Sequence, residues 1–243
     1  MARYLGPIKW LGGIGLGAIL FGLVFQVIIL GGISEEARKA VLLNAIPFFA
    51  VFIGILLLFI LSIVLTAMRY NGKLPHRTHS SIEMTIVVGI LFGVVCLFQP
   101  FSFVPYRYGF LLVLISTLSF ILWSHIVPAH ARLTAQLPAF STRANVVGAV
   151  AGLIVLVVVV AGMTSVNAPR PPYGLRERVW NSYDDERKAS VEAEALQSFN
   201  GVEFPFLIVF GLFPAAVVFF AAREVAADTP ESASAAVPAG VVA

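Results

Sequence analysis

SSIEMTIVVGILFGVVCLFQPFSFVPYRYGFLLVLISTLSFILWSHI, residues 80–126, decides the fold. It holds two charge-poor apolar runs, 84–98 and 108–125, joined by the turn QPFSFVPYR at 99–107. Each run has about the length that crosses a hydrocarbon core of roughly 30 Å as a helix. The stretch reads as a transmembrane hairpin. Pro100 and Pro105 are expected to end its first helix and set up the turn. Tyr106, Arg107 and Tyr108 suit a membrane interface, where aromatic and basic side chains anchor.

The rest of the chain agrees. Of its 243 residues 59% are hydrophobic and 12% charged, against about 25% charged in soluble domains. Its mean hydropathy is +0.92. Lipid must therefore be the solvent for most of the surface. A net charge of +3 with no basic block excludes a nucleic-acid partner. The single cysteine, Cys96, has no intrachain disulfide partner and reads as a small apolar core residue.

Four further apolar runs, at about 10–30, 45–68, 146–166 and 204–222, complete six spans, with the hairpin at about 84–103 and 108–126. The first is too long for a signal-peptide core and is followed by no convincing cleavage site, so it reads as an uncleaved helix. Asn71-Gly72 marks a turn. Gly13 and Gly17, Gly89 and Gly93, and Gly148 and Gly152 form small-xxx-small pairs that let helices approach closely. Pro214, three residues after Gly211, predicts a kink or hinge in the last span.

Residues 167–203 form the one long connection. Within it Leu175, Val179 and Tyr183 recur at helical spacing with Trp180 beside them. This predicts an amphipathic helix that lies on the membrane surface or docks a partner. Residues 223–243, rich in Ala, Ser and Pro, are expected to be a disordered tail.

Charge sets the orientation. Arg69, Lys73, Arg77, Arg132 and Arg143 lie in the loops after the second and fourth spans, which places those loops in the cytoplasm. The expected fold class is an all-α integral membrane protein. It is a six-transmembrane-helix bundle of a bacterial inner membrane with both termini cytoplasmic. Residues 1–222 make up the domain, with 167–203 outside.

All four histidines then face the cytoplasm. His79 and Glu83 are spaced i, i+4, His76 lies just before them, and His125 and His130 flank the end of the fourth span. Imidazole with carboxylate is a candidate quinone or proton-exchange pocket, or a metal set; the ordinary reading is polar residues contacting headgroups and water. No metal and no intrinsic cofactor is expected, and a lipid or quinone at the cytoplasmic end of the third and fourth spans is the candidate ligand. Apart from Glu83 the spans carry no ionised side chain, which argues against a proton pump or an ion-coupled transporter. No nucleotide-binding, hydrolase or metalloprotease motif occurs, and no catalytic residue is assigned.

These features suit a non-catalytic subunit packed among other integral membrane subunits, with an extracytoplasmic partner at 167–203. A respiratory or photosynthetic electron-transfer assembly is the preferred setting. The alternatives are a small-molecule or lipid permease hinged at Gly211 and Pro214, and a quinone- or metal-binding protein using the histidines.

Overall fold

An apolar segment in lipid has no water to bond, so it closes its backbone hydrogen bonds within itself as a helix. The computed structural model describes residues 2–34, 40–100, 102–129, 137 and 139–227. Among them, six helices are long and apolar enough to cross a membrane: α1 (Tyr4–Ile29), α2 (Val41–Tyr70), α3 (His76–Phe98), α4 (Phe103–Ser124), α5 (Thr142–Asn167) and, after the short α6 (Glu177–Asn181), α7 (Asp185–Val225). The chain is all-α, and large apolar side chains such as Val27, Phe48, Met84, Phe110 and Val157 stay exposed along these helices. That is the surface of a multi-pass membrane protein.

The chain divides into two compact units, residues 1–74 with 122–128, and 75–121 with 129–243. In the first, α1 packs on α2 through glycine. A Cβ at Gly15 would sit 3.2 Å from the Gly54 carbonyl oxygen, and one at Gly22 would sit 2.9 Å from that of Pro47. Gly12 also faces α2, at Leu61. The pair expected here, Gly13 and Gly17, does not mediate this packing: nothing lies within 4 Å of a Cβ built at either. The reason is phase. Glycines at 12, 13, 15, 17 and 22 surround the helix, and the partner selects the face. Pro47 lies in the second turn of α2 rather than the first, because the helix already starts at Val41. The predicted Asn71-Gly72 turn forms, with Gly72 at a φ of 71°. It is fastened by Gly72 N–H donating to Val127 O (2.8 Å) and by Val127 N–H donating to Asn71 Oδ1 (2.9 Å).

In the second unit, α3 and α4 cross where Gly93 meets Gly109; a Cβ on either would come 3.0 Å from the other's carbonyl oxygen. Gly89 lies against Ser116 and Phe213. Pro105 sits in the first turn of α4 instead of in the loop, since that turn needs no N–H from it. Gln99 spans the connection: its Oε1 accepts from Ser102 N–H (3.0 Å) and its amide donates to Ser102 O. Ser141 caps α5 by accepting from Ala144 N–H (3.3 Å). Gly148 and Gly152 then lie against Phe219 and Ala215 of α7. Gly211, on α7, packs on Leu156 and Val160, and the helix runs on through Pro214. An aromatic core of Tyr108, Leu112, Phe199, Leu207 and Phe210, flanked by Phe92, Phe206 and Phe213, binds α3, α4 and α7 together.

The long connection departs from its expected form. The helix predicted across Leu175 to Tyr183 is the five-residue α6, which leaves both of those residues outside it. Asp184 then starts a new helix as its N-cap, accepting from Arg187 N–H (2.9 Å). That helix does not stop before the last span but continues into it, through a π-helical turn at Phe199–Glu203, for 41 residues. At 1.5 Å per residue this is roughly 60 Å, about twice the hydrocarbon thickness. Its other end also extends further than expected. Arg223 and Glu224, assigned above to a disordered tail, belong to the last helical turn. Residues 228–243 of that tail lie outside the described residues.

Candidate functional site

Polar side chains of the second unit gather at the two ends of the apolar part of α7. At the end where α7 stops, Glu224 meets the start of α3. Arg77 donates to it twice, from Nε to Oε2 (3.2 Å) and from an amino group to Oε1 (3.1 Å), and the buried Thr78 hydroxyl donates to it as well. The Phe140 ring has the guanidinium of Arg77 and that of Arg223 each 3.9 Å from its centre. Two cations therefore share one aromatic ring, and one of them, Arg77, is paired with the carboxylate. Arg223 Nε is buried without a hydrogen-bond partner among the described residues.

At the opposite end, the π-helical turn ends on Glu203. One extra residue in a turn re-phases the helix by about 100°, which separates the charged face before it from the apolar face after it. Glu203 accepts from the Tyr108 hydroxyl (2.6 Å) and lies 3.8 Å from Arg107. Arg107 also donates to Asn167 Oδ1 (2.8 Å), and the Asn167 amide donates to Met163 O. Tyr108 is 1% exposed, so its hydroxyl depends on this carboxylate. Tyr108→Phe keeps the ring and deletes the donor. A loss of about 1.5 kcal/mol is expected, the usual worth of a hydrogen bond to a charged group, read as a lower midpoint of thermal unfolding in detergent.

The histidine candidates fall in both units. His79 Nδ1 lies 3.6 Å from Glu83 Oε2, on one helix face. His79 is buried and His76 exposed. His125 belongs to the first unit, where it lines a hollow with Tyr4, Asn71 and Lys73. His130 lies outside the described residues. Among the described residues no three metal-ligating side chains come together.

The aromatic residues of the long connection contact their own chain. Tyr173, at a φ of 53°, and Gly174, at 80°, turn the strand back. This places the Tyr173 ring 5.3 Å from Trp180. Lys188 lies over Trp180 and Arg187 over Tyr183, and both rings stay partly exposed. Burial and the neighbouring Glu192 carboxylate, to which it donates, push the Tyr173 phenol above its usual pKa. Val179 remains 38% exposed and Leu175 half-buried.

Arg223, Glu224 and Glu203 are the functional candidates that sequence reasoning missed. A signal existed: Arg77 against Glu224, and Arg107 against Glu203, are opposite charges expected at matching depths of neighbouring spans. Comparison with family models, with curated proteins and with solved structures gives no match to this chain.

Proposed function

We propose that this chain is a non-catalytic subunit that holds other proteins at the membrane, with α7 as the docking element. The observation that carries the reading is the extension of α7. Beyond Glu203 toward its N-terminus, residues 185–198 continue as a helix whose side chains are largely exposed. Arg107, Tyr108 and Asn167 fix the point where it leaves the apolar layer. A charged helix standing in water and rooted in a membrane span suits attachment of a partner. Gly13 and Gly17, turned away from α2, offer a second, lipid-level face for a neighbouring subunit. The reading takes the membrane to be a bacterial inner membrane, and the basic loops support an orientation with both termini in the cytoplasm and the α7 extension outside. The close fit of Gly211 on α5 favours a static packing role over the hinge a permease would use.

Purification of the tagged chain from its native membrane in mild detergent tests this. Other membrane proteins are expected to co-purify in fixed ratio, and a charge-reversed α7 extension (Glu186→Lys with Glu194→Lys) is expected to release them. Migration of the chain alone, with or without those changes, would refute the reading. An absorption spectrum of the recovered assembly tests whether it carries electrons. Retention of cofactor by the isolated chain, lost on changing His79, Glu83 and His125 together, would favour the histidine site instead.

A further inference from the structure

We propose that α3 and α7 bind one anionic phospholipid, with its phosphate at Arg223 and an acyl chain in the groove between the two helices. The groove holds about 550 Å³ and is walled mainly by apolar side chains, among them Met84, Val88, Leu212, Phe213, Ala216 and Phe220, with Ser80 and Ser81 at its polar end. That end adjoins the arginine cluster. Ser81 donates to the Arg77 carbonyl oxygen (2.9 Å), and the Phe220 ring that walls the groove lies 5.1 Å from the Arg223 guanidinium.

Charge identifies the occupant. Among the described residues the cluster has two guanidinium groups to one carboxylate, and Glu224 is committed to Arg77 and Thr78. Arg223 contributes its planar face to Phe140, while its buried Nε–H meets no acceptor among the described residues. A guanidinium with donors to spare suits a phosphate, which it can bind through two parallel hydrogen bonds. The cluster also lies at the end of an apolar span, which is the depth of lipid headgroups. Basic pockets between spans are where anionic headgroups are held. A zwitterionic lipid would fill the same groove but bring a second cation to a site already in cationic excess.

The experiment is lipid titration of the full-length, delipidated chain in detergent, followed by native mass spectrometry. Phosphatidylglycerol and phosphatidylcholine with identical acyl chains are compared. Phosphatidylglycerol is expected to bind about tenfold more tightly, because both lipids offer the same phosphate and only phosphatidylcholine brings a cation into the cationic site. Arg223→Gln is expected to abolish that preference by removing the cationic excess, and to weaken phosphatidylcholine as well, since both lipids share the phosphate. Ser80→Phe, at an exposed helix position lining the groove, is expected to weaken both lipids. Arg170→Gln, a distant exposed arginine, should change neither. Equal binding of the two lipids to the unaltered chain would overturn the proposal, as would a preference that survives Arg223→Gln. Displacement of phosphatidylglycerol by millimolar inorganic phosphate would also overturn it, by showing a free-anion site.

Discussion

Gly54→Val is expected to separate α1 from α2 and to be among the most damaging single changes in the first unit. A Cβ at this position would lie 2.5 Å from Ile19 Cγ1, 2.7 Å from the Gly15 carbonyl oxygen and 3.1 Å from the Ile19 nitrogen. Two of those three atoms are backbone, so no rotamer change makes room and the helices must move apart. Overpacking of a fitted contact costs typically about 1–3 kcal/mol, and a clash with two backbone atoms of α1 belongs at the top of that range. In lipid the loss is not offset by water exclusion, since the separated faces are solvated by acyl chains as well as by each other. The measurements are thermal unfolding in detergent and protease sensitivity of the loop between α1 and α2. Gly17→Val is the control and is expected to leave both unchanged. Equal damage from the two would show that the crossing has been assigned to the wrong face. If Gly17→Val spares the isolated chain but releases co-purifying proteins, that face serves a neighbouring subunit.

Glu224→Ala is expected to destabilise the second unit by about 2–3 kcal/mol. Breaking a buried ion pair by removing one partner costs roughly 3–5 kcal/mol; the Arg77 and Glu224 side chains are 22% and 14% exposed, so some screening reduces the figure. The change removes the acceptor for three hydrogen bonds and leaves Arg77 and Arg223 repelling one another across Phe140. The double variant Glu224→Met with Arg77→Met discriminates the cause. It removes the charge that Glu224→Ala leaves unpaired at Arg77 while keeping side-chain bulk, and stability is expected to recover to within about 1 kcal/mol of the unaltered chain. A double variant as unstable as Glu224→Ala would mean that packing rather than charge holds this corner.

The spans were legible because their signal is long, apolar and almost uninterrupted. The Asn71-Gly72 turn was legible because a positive φ favours those residue types. Helix phase in α1 was not, because glycines at 12, 13, 15, 17 and 22 offer small faces in several directions and only the position of Gly54 chooses among them. The extent of α7 was hidden by a change of solvent within one helix. Residues 185–198 are polar and 204–222 apolar, so a hydropathy reading divides what the backbone keeps continuous. The cluster at Arg223 was hidden for a similar reason: it stands at the border of a low-complexity tail, and composition averages across such a border. Its partners, Arg77 and Thr78, are more than 140 positions away in the chain, a separation that helical spacing alone cannot bridge. Of the histidine spacings, the i, i+4 step of one helix was legible, and it sets His79 beside Glu83.

Glu203 and Glu224 stand twenty-one positions apart on α7, a rise of roughly 30 Å, and each is tied to a different neighbouring helix, Glu203 to α4 and Glu224 to α3. Such a fixed interval makes the protein selective for bilayer thickness. In a thicker membrane one of the two ions would be drawn among acyl chains, and because both are clamped, tilting or local thinning of the lipid would have to absorb the misfit. Reconstitution across phosphatidylcholines of increasing chain length should therefore show a stability maximum near a 30 Å core, falling by a fraction of a kcal/mol for each further ångström.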